Sequence, residues 1–274
     1  MRIGCSLPAK TFMPEYTETQ VAYDPLQSLL YGYETAMRIG YDYIEAAVGV
    51  IHDLTKEQLQ LLADKVKDGS FRLQYCNCFV PPEIPLCTAP METIEAFVRS
   101  TMQKLDLLDV RTVIFGSGVA RRFPDGLTKE EAAKRIRAFL TLCNEIGAQY
   151  GITTAIEPLN STETNIINTA AEGADWVRSL DLPYVRLLPD LFHMAMEQED
   201  PKVLIQNEKT IVHLHASEAP GRVFPGKFGG TYLKKCGDTL RSFGWTKDIT
   251  VECVFSDFES EAEIALKFMK EAFQ

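Results

Sequence analysis

Histidine is scarce in this chain, with four in 274 residues, and none of its seven cysteines stands in a CxxC pair. Cys5, Cys76, Cys78, Cys87, Cys143, Cys236 and Cys253 form an odd, scattered set, several of them in apolar runs where they read as small buried hydrophobes. That usage points to a reducing cytoplasm. Positive charge is also in deficit, 28 Lys and Arg against 38 Asp and Glu, and the net charge of −10 repels polyphosphate backbones and anionic membrane surfaces. A nucleic-acid partner and a membrane partner are therefore not expected. Long hydrophobic runs are missing as well. The opening MRIGCSLPAKTF has no apolar stretch long enough for a signal peptide, and no later segment approaches about 18 uninterrupted apolar residues.

What the chain has is a regular alternation of short apolar runs and amphipathic helices, with no linker or low-complexity stretch between them. The expected strands are RIGCSL from Arg2, YIEAAV from Tyr43, RLQYCNCF from Arg72, TVIFGS from Thr112, TTAIEPL from Thr153, YVRLLPD from Tyr184, IVHLHAS from Ile211 and ITVECVF from Ile249. A helical pattern follows each. Leu29, Leu30, Tyr33, Ala36 and Met37 mark the first, Ile136, Phe139, Leu140, Cys143 and Ile146 the fourth, and Ile264, Ala265, Phe268 and Met269 the last. Strands alternating with helices imply a parallel sheet. An open dinucleotide-binding sheet would need a Gly-rich turn after an early strand. The GSG at Gly116 to Gly118 follows the fourth and lacks the third glycine. The expectation is one α/β domain over residues 1–274, a (β/α)8 TIM barrel with its site where the C-terminal strand ends converge.

Those ends carry the sharpest signal. Strands five to eight finish in IEP, LPD, HLH and VEC, which supply Glu157, Asp190, His215 and Glu252. Each carboxylate alone reads as a helix cap or rim charge. Three carboxylates and an imidazole on four consecutive strands, too far apart in sequence to chelate locally, read as a metal site that only the barrel assembles. Apolar neighbours around Glu157 and Glu252 sharpen this, since an unpaired carboxylate there would cost several kcal/mol or stay protonated. Three oxygen donors and an imidazole suit one divalent cation per subunit, Mn²⁺ first, with Mg²⁺ or Co²⁺ as substitutes and Zn²⁺ placed last. His193, His213 and His215 fall within 23 residues of one another, and His213 is assigned a structural role.

With these residues in view the chain resembles the xylose-isomerase-like sugar isomerase and epimerase superfamily, especially its ketose 3-epimerases and hydroxypyruvate-isomerase-like proteins. EPLNSTE, PDLFH, HLHASEAPGR and TVEC resemble the family's four ligand segments. The resemblance implies Glu157, Asp190, His215 and Glu252 as ligands, Asn160, Glu163 and His193 beside the substrate, and Arg222 meeting a substrate oxygen. It further implies that Glu157 and Glu252 act catalytically as well as binding the ion, one removing a proton from a metal-held sugar and the other returning one through an enediolate. The expected partner is a small sugar or sugar phosphate, with a homodimer or tetramer as the assembly. GCSLPAKTF lacks the aromatic-rich first-strand end of the best-known ketose 3-epimerases, so no particular sugar is implied.

Other residues carry two readings. Glu45 ends the second strand and either orients a ligand or sugar from below or pairs with a rim Lys. Cys76 and Cys78 read as packing cysteines before a soft metal site. Phe79, Phe115, Phe224, Phe228 and Trp245 read as core before sugar walls or a subunit contact, and Arg121 with Arg122 as a solvated charge pair before a phosphate receptor. The competing functions are an inosose-type dehydratase, an AP-endonuclease-like hydrolase, which would want more histidine and a basic groove, and a barrel subunit without catalysis.

Overall fold

The computed structural model describes residues 1–7 and 24–274. Eight parallel strands, β1 (Ile3–Leu7), β2 (Tyr43–Ala47), β3 (Leu73–Asn77), β4 (Thr112–Phe115), β5 (Thr153–Ile156), β6 (Val185–Leu187), β7 (Leu214–Ala216) and β8 (Ile249–Val251), form one curled sheet in the order β6-β5-β4-β3-β2-β1-β8-β7. Its edges meet through the isolated parallel bridges Leu187↔Ile211 and Asp190↔His215, which give the TIM-barrel fold. All eight expected strands are present. The regular ladders of β6 to β8 are only three residues long, because the chain leaves the sheet where it presents Asp190 and Glu252. The segment from Pro8 to Phe12, which includes the unusual end of the first strand, lies outside the described residues.

The helices are α1 (Pro25–Ile39), α2 (Val48–Asp53), α3 (Lys56–Asp68), α4 (Met91–Leu107), α5 (Gly118–Arg121), α6 (Lys129–Tyr150), α7 (Ala170–Leu180), α8 (Leu191–Met196), α9 (Lys202–Gln206), α10 (Thr231–Ser242) and α11 (Phe258–Phe273). α6 shows how sequence dictates them. Thr128 and Glu131 form a reciprocal capping box at its start, Ile136, Phe139, Leu140, Cys143 and Ile146 are all buried against the sheet, and Gly151 ends it at φ 67°. In α11 the buried face is Ala262, Ala265, Leu266 and Met269. Ile264, expected on that face, points to solvent.

Most of the core lies between sheet and helices, while the barrel interior holds Tyr43, Tyr75, Ile114, Ala155 and Leu188. Gly4 makes room for Tyr43, since a Cβ there would sit 2.0 Å from its ring. Beneath them the floor is polar: the Tyr75 hydroxyl donates to Asp248 at 2.8 Å, and Arg2 Nε donates to the same carboxylate at 3.0 Å. Packing and polar closure thus leave the C-terminal mouth as the open end.

Candidate active site

Glu157 directly follows β5, and its N–H donates to Phe115 O at 3.1 Å, which ties the strand end to β4. Asp190 caps α8 through Oδ1, which accepts from Phe192 N at 2.8 Å and leaves Oδ2 free to turn inward. His215 stands within β7, and Glu252 follows β8 with its N–H on Ala216 O at 3.1 Å. The barrel brings all four predicted ligands together, their ligand atoms within 4.8 Å of one another. Asp190 and His215 have no accessible surface, and Glu157 is also buried.

Three carboxylates packed so closely perturb one another strongly. Burial, and then the Glu252 charge, push Glu157 up to about 7. Burial likewise raises Asp190, although Arg222 pulls the other way. Burial would raise Glu252 too, but Arg222 and His215 outweigh it and hold this carboxyl well below the usual range. For His215 burial is overcome by Glu45, Glu252 and Glu157, which favour its charged form. A concentrated negative cluster of hard oxygen donors with one imidazole is chemistry that fits a divalent cation.

Beside this cluster opens a cleft of about 360 Å³. Glu157, Glu252, Arg222 and Glu163 line it, together with residues after β3 and β4, among them Cys78, Val80, Pro82 and Val119. His193 is held by Asn160, whose backbone N–H and side-chain amide reach Nδ1 at 3.2 and 2.8 Å. The same amide donates to Glu163 at 3.0 Å, and its oxygen accepts from Thr162 N, which fixes its orientation. Burial and the nearby Arg222 push His193 down to about 3, so its ring is neutral near pH 7. Arg222, at φ 52° after a cis Ala219–Pro220 bond, reaches His193 Nε2 at 3.0 Å, donates to Asp190 Oδ2 at 2.8 Å and bonds Glu252.

A family model described as xylose isomerase-like TIM barrel matches residues 33–272. The chain belongs to this family. Curated relatives include a D-psicose 3-epimerase of Enterocloster bolteae, 27% identical over 76% of this chain and 70% of the relative, and a probable ketose 3-epimerase of Synechocystis, 26% identical over 89% and 91%. The fold matches the crystal structure of a D-allulose 3-epimerase from Methylomonas at a TM-score of 0.81 with 19% identity, over 100% of this chain and 97% of that one. A D-psicose 3-epimerase from Clostridium cellulolyticum matches at 0.80 with 20% identity, over 100% of both.

Within this xylose isomerase-like barrel several residues lie elsewhere than the sequence suggests. Glu45, expected either to orient a ligand or sugar from below or to pair with a rim Lys, is wholly buried on the far side of His215 from the cleft, and its partners are His213 and His215, not a rim Lys. Arg121 is not half of a solvated pair, nor open to a phosphate. It is fully buried, donating to the carbonyls of Phe115, Glu157 and Ile167 at 3.3, 2.8 and 3.1 Å, so it staples the ends of β4 and β5. Burial pulls its pKa down to about 10, against the opposing pull of the Glu157, Glu172 and Glu163 charges. Arg122 stays exposed. Cys76 packs in the core while Cys78 is exposed. Of the aromatics, Phe79, Phe115, Phe224 and Trp245 are buried and Phe228 is exposed.

Sequence reasoning passed over Asn77. Its amide donates to Glu252 Oε1 at 2.7 Å and to Ser6 Oγ at 2.9 Å, so it fixes the face that Glu252 turns to the cleft. A lone amide between two thiols at the end of β3 was the available signal. Gly116 also finds its reason. A Cβ at this position would lie 2.2 Å from Glu157 Oε2, so the missing side chain is what lets the carboxylate occupy its place. Gly116→Ala is therefore expected to lower kcat by about 10²-fold through misplacement of Glu157 while the melting temperature changes little. Steady-state kinetics with a thermal melt checks this, and an unchanged kcat would remove the need for that carboxylate position.

Proposed function

We propose that the chain is an isomerase acting as a metal-dependent ketose 3-epimerase on a small sugar. The observation that carries the reading is that Glu157 and Glu252, arriving from different strands, meet at one imidazole nitrogen, His215 Nδ1, at 3.0 and 3.1 Å, while both also line the cleft. Epimerisation at C3 needs one group to take a proton from the carbon and a second to return one from the other face. Two carboxylates at one cleft supply such a pair. One accepts the C3 proton as the C–H bond breaks and its electrons pass into the enediolate, and the other donates its proton to C3. The reverse reaction exchanges the two roles.

A divalent cation held by Glu157, Asp190, His215 and Glu252 would supply the positive charge that acidifies the C3 proton and offsets charge developing on the sugar oxygens. The cation read from the donor set is Mn²⁺, with Mg²⁺ and Co²⁺ as substitutes. His193, neutral and held at Nδ1 by Asn160, gives Nε2 to a substrate oxygen in place of its contact with Arg222. Arg222 donates to another, with Glu163 beside it at the cleft wall. The names of the curated relatives support reaction at C3 over transfer between C1 and C2.

The test is a panel of ketohexoses and ketopentoses incubated with the Mn²⁺-loaded protein in D₂O. Solvent deuterium is expected at C3 of the product by NMR. Label at C1 or C2 would reassign the enzyme as an aldose–ketose isomerase, and loss of water as a dehydratase. Turnover should stop on chelation and return with Mn²⁺, Mg²⁺ or Co²⁺; chelator-insensitive turnover would remove the metal from the reading.

A further inference from the structure

His215 has two ring nitrogens, and the barrel addresses both. Nδ1 faces Glu157 Oε1 at 3.0 Å and Glu252 Oε2 at 3.1 Å, while Nε2 faces Glu45, 3.2 Å from Oε2 and 3.0 Å from Oε1. Turning the ring over would set C–H groups against carboxylate oxygens on both sides, so its orientation is determined. Glu45 is in turn held: it has no accessible surface, and its Oε2 lies 3.3 Å from His213 Nε2. His213 is anchored by Thr250 Oγ1 at 2.9 Å and stacks on Tyr75 with centroids 4.0 Å apart. A wholly buried carboxylate costs several kcal/mol unless paired. Among the described residues its pairing comes from the two histidines alone.

We propose that Glu45 is a positioning residue. It accepts the Nε2 proton of His215, so that Nδ1 is the nitrogen turned to the metal cluster, and it thereby sets the protein's affinity for the divalent ion without touching the sugar. The inference rests on His215 being a ligand, as read above. The physical basis is general. A ligating imidazole needs its other N–H satisfied to hold one tautomer and one ring plane, and loss of the acceptor weakens metal binding by about 10- to 100-fold.

Chelator-stripped wild type, Glu45→Gln, Glu45→Ala and, as a ligand control, Glu157→Gln would be titrated with Mn²⁺ by calorimetry, followed by thermal melts and sugar KM at saturating Mn²⁺. One ion per wild-type chain is expected. Both Glu45 variants should bind about 10- to 100-fold more weakly. Their sugar KM should stay at the wild-type value, and the melting temperature of the near-isosteric stripped Glu45→Gln should remain close to wild type. If Glu45→Ala does not fold, Glu45→Gln alone decides. Wild-type Mn²⁺ affinity in Glu45→Gln overturns the proposal. A raised sugar KM overturns it in favour of a substrate contact, and two ions per wild-type chain overturns it in favour of a second metal site at Glu45, His213 and His215. Unweakened binding in Glu157→Gln, or no binding by the wild type, strikes instead at the ligand assignment.

Discussion

Glu157→Gln and Glu252→Gln are each expected to lower kcat by about 10²- to 10⁴-fold, the range that a positioned acid or base supplies, with any loss of metal affinity adding to it. An amide is nearly isosteric with the carboxylate but neither takes nor gives the C3 proton. Stability should respond in the opposite sense at position 157. Glu157 is pushed up to about 7 by burial and by Glu252, so a neutral amide there relieves desolvation and like-charge repulsion. The melting temperature of the chelator-stripped Glu157→Gln protein should therefore equal or exceed that of wild type. Turnover within tenfold of wild type in either variant would defeat the two-carboxylate mechanism. At position 252 the loss is compounded, because Asn77 and Arg222 both hold the carboxylate that is removed.

Arg222→Gln is expected to tighten divalent metal binding while it weakens sugar turnover. The guanidinium donates to Asp190 Oδ2 at 2.8 Å and bonds Glu252, two of the four proposed ligands, so arginine and cation draw on the same negative charge. Removing a fixed positive charge from a largely buried cluster should raise cation affinity by on the order of 1–2 kcal/mol, about tenfold. Turnover should move the other way, since a charged hydrogen bond to substrate contributes about 1.5–3 kcal/mol, and kcat/KM should fall by about 10- to 100-fold. Calorimetric Mn²⁺ titration beside kinetics at saturating Mn²⁺ separates the two effects. Weaker metal binding in the variant would show that Arg222 supports the ligands instead of competing for them.

The meeting of Glu157, Asp190, His215 and Glu252 was legible because barrel topology turns consecutive strand ends into one locus, and each strand end carried a carboxylate or imidazole inside an apolar run. Element periodicity was legible for the same kind of reason: the buried stripe of α6 is written in its own residues. What could not be read were partners fixed by tertiary placement. A glutamate at the end of YIEAAV looks the same whether it will face a lysine or two histidines on a strand some 170 positions away. Arg121 bonds three backbone carbonyls, and a carbonyl has no sequence signature. Ile264 keeps helical spacing with Phe268, but the buried stripe of α11 runs through Ala262, Ala265, Leu266 and Met269 and leaves Ile264 outside it.

The cleft is lined by residues of two origins. The proposed ligands and the residues beside them come from β5 to β8 and the segments after them, whereas Cys78, Val80 and Pro82 come from the segment after β3 and Val119 from α5. In evolutionary terms the two groups of lining residues are free to vary separately. Substitutions in the second group can retune which molecule is admitted without disturbing the proton-transfer group, and Gly116 and Asn77 are the narrow points where a change in one group is felt at once in the other.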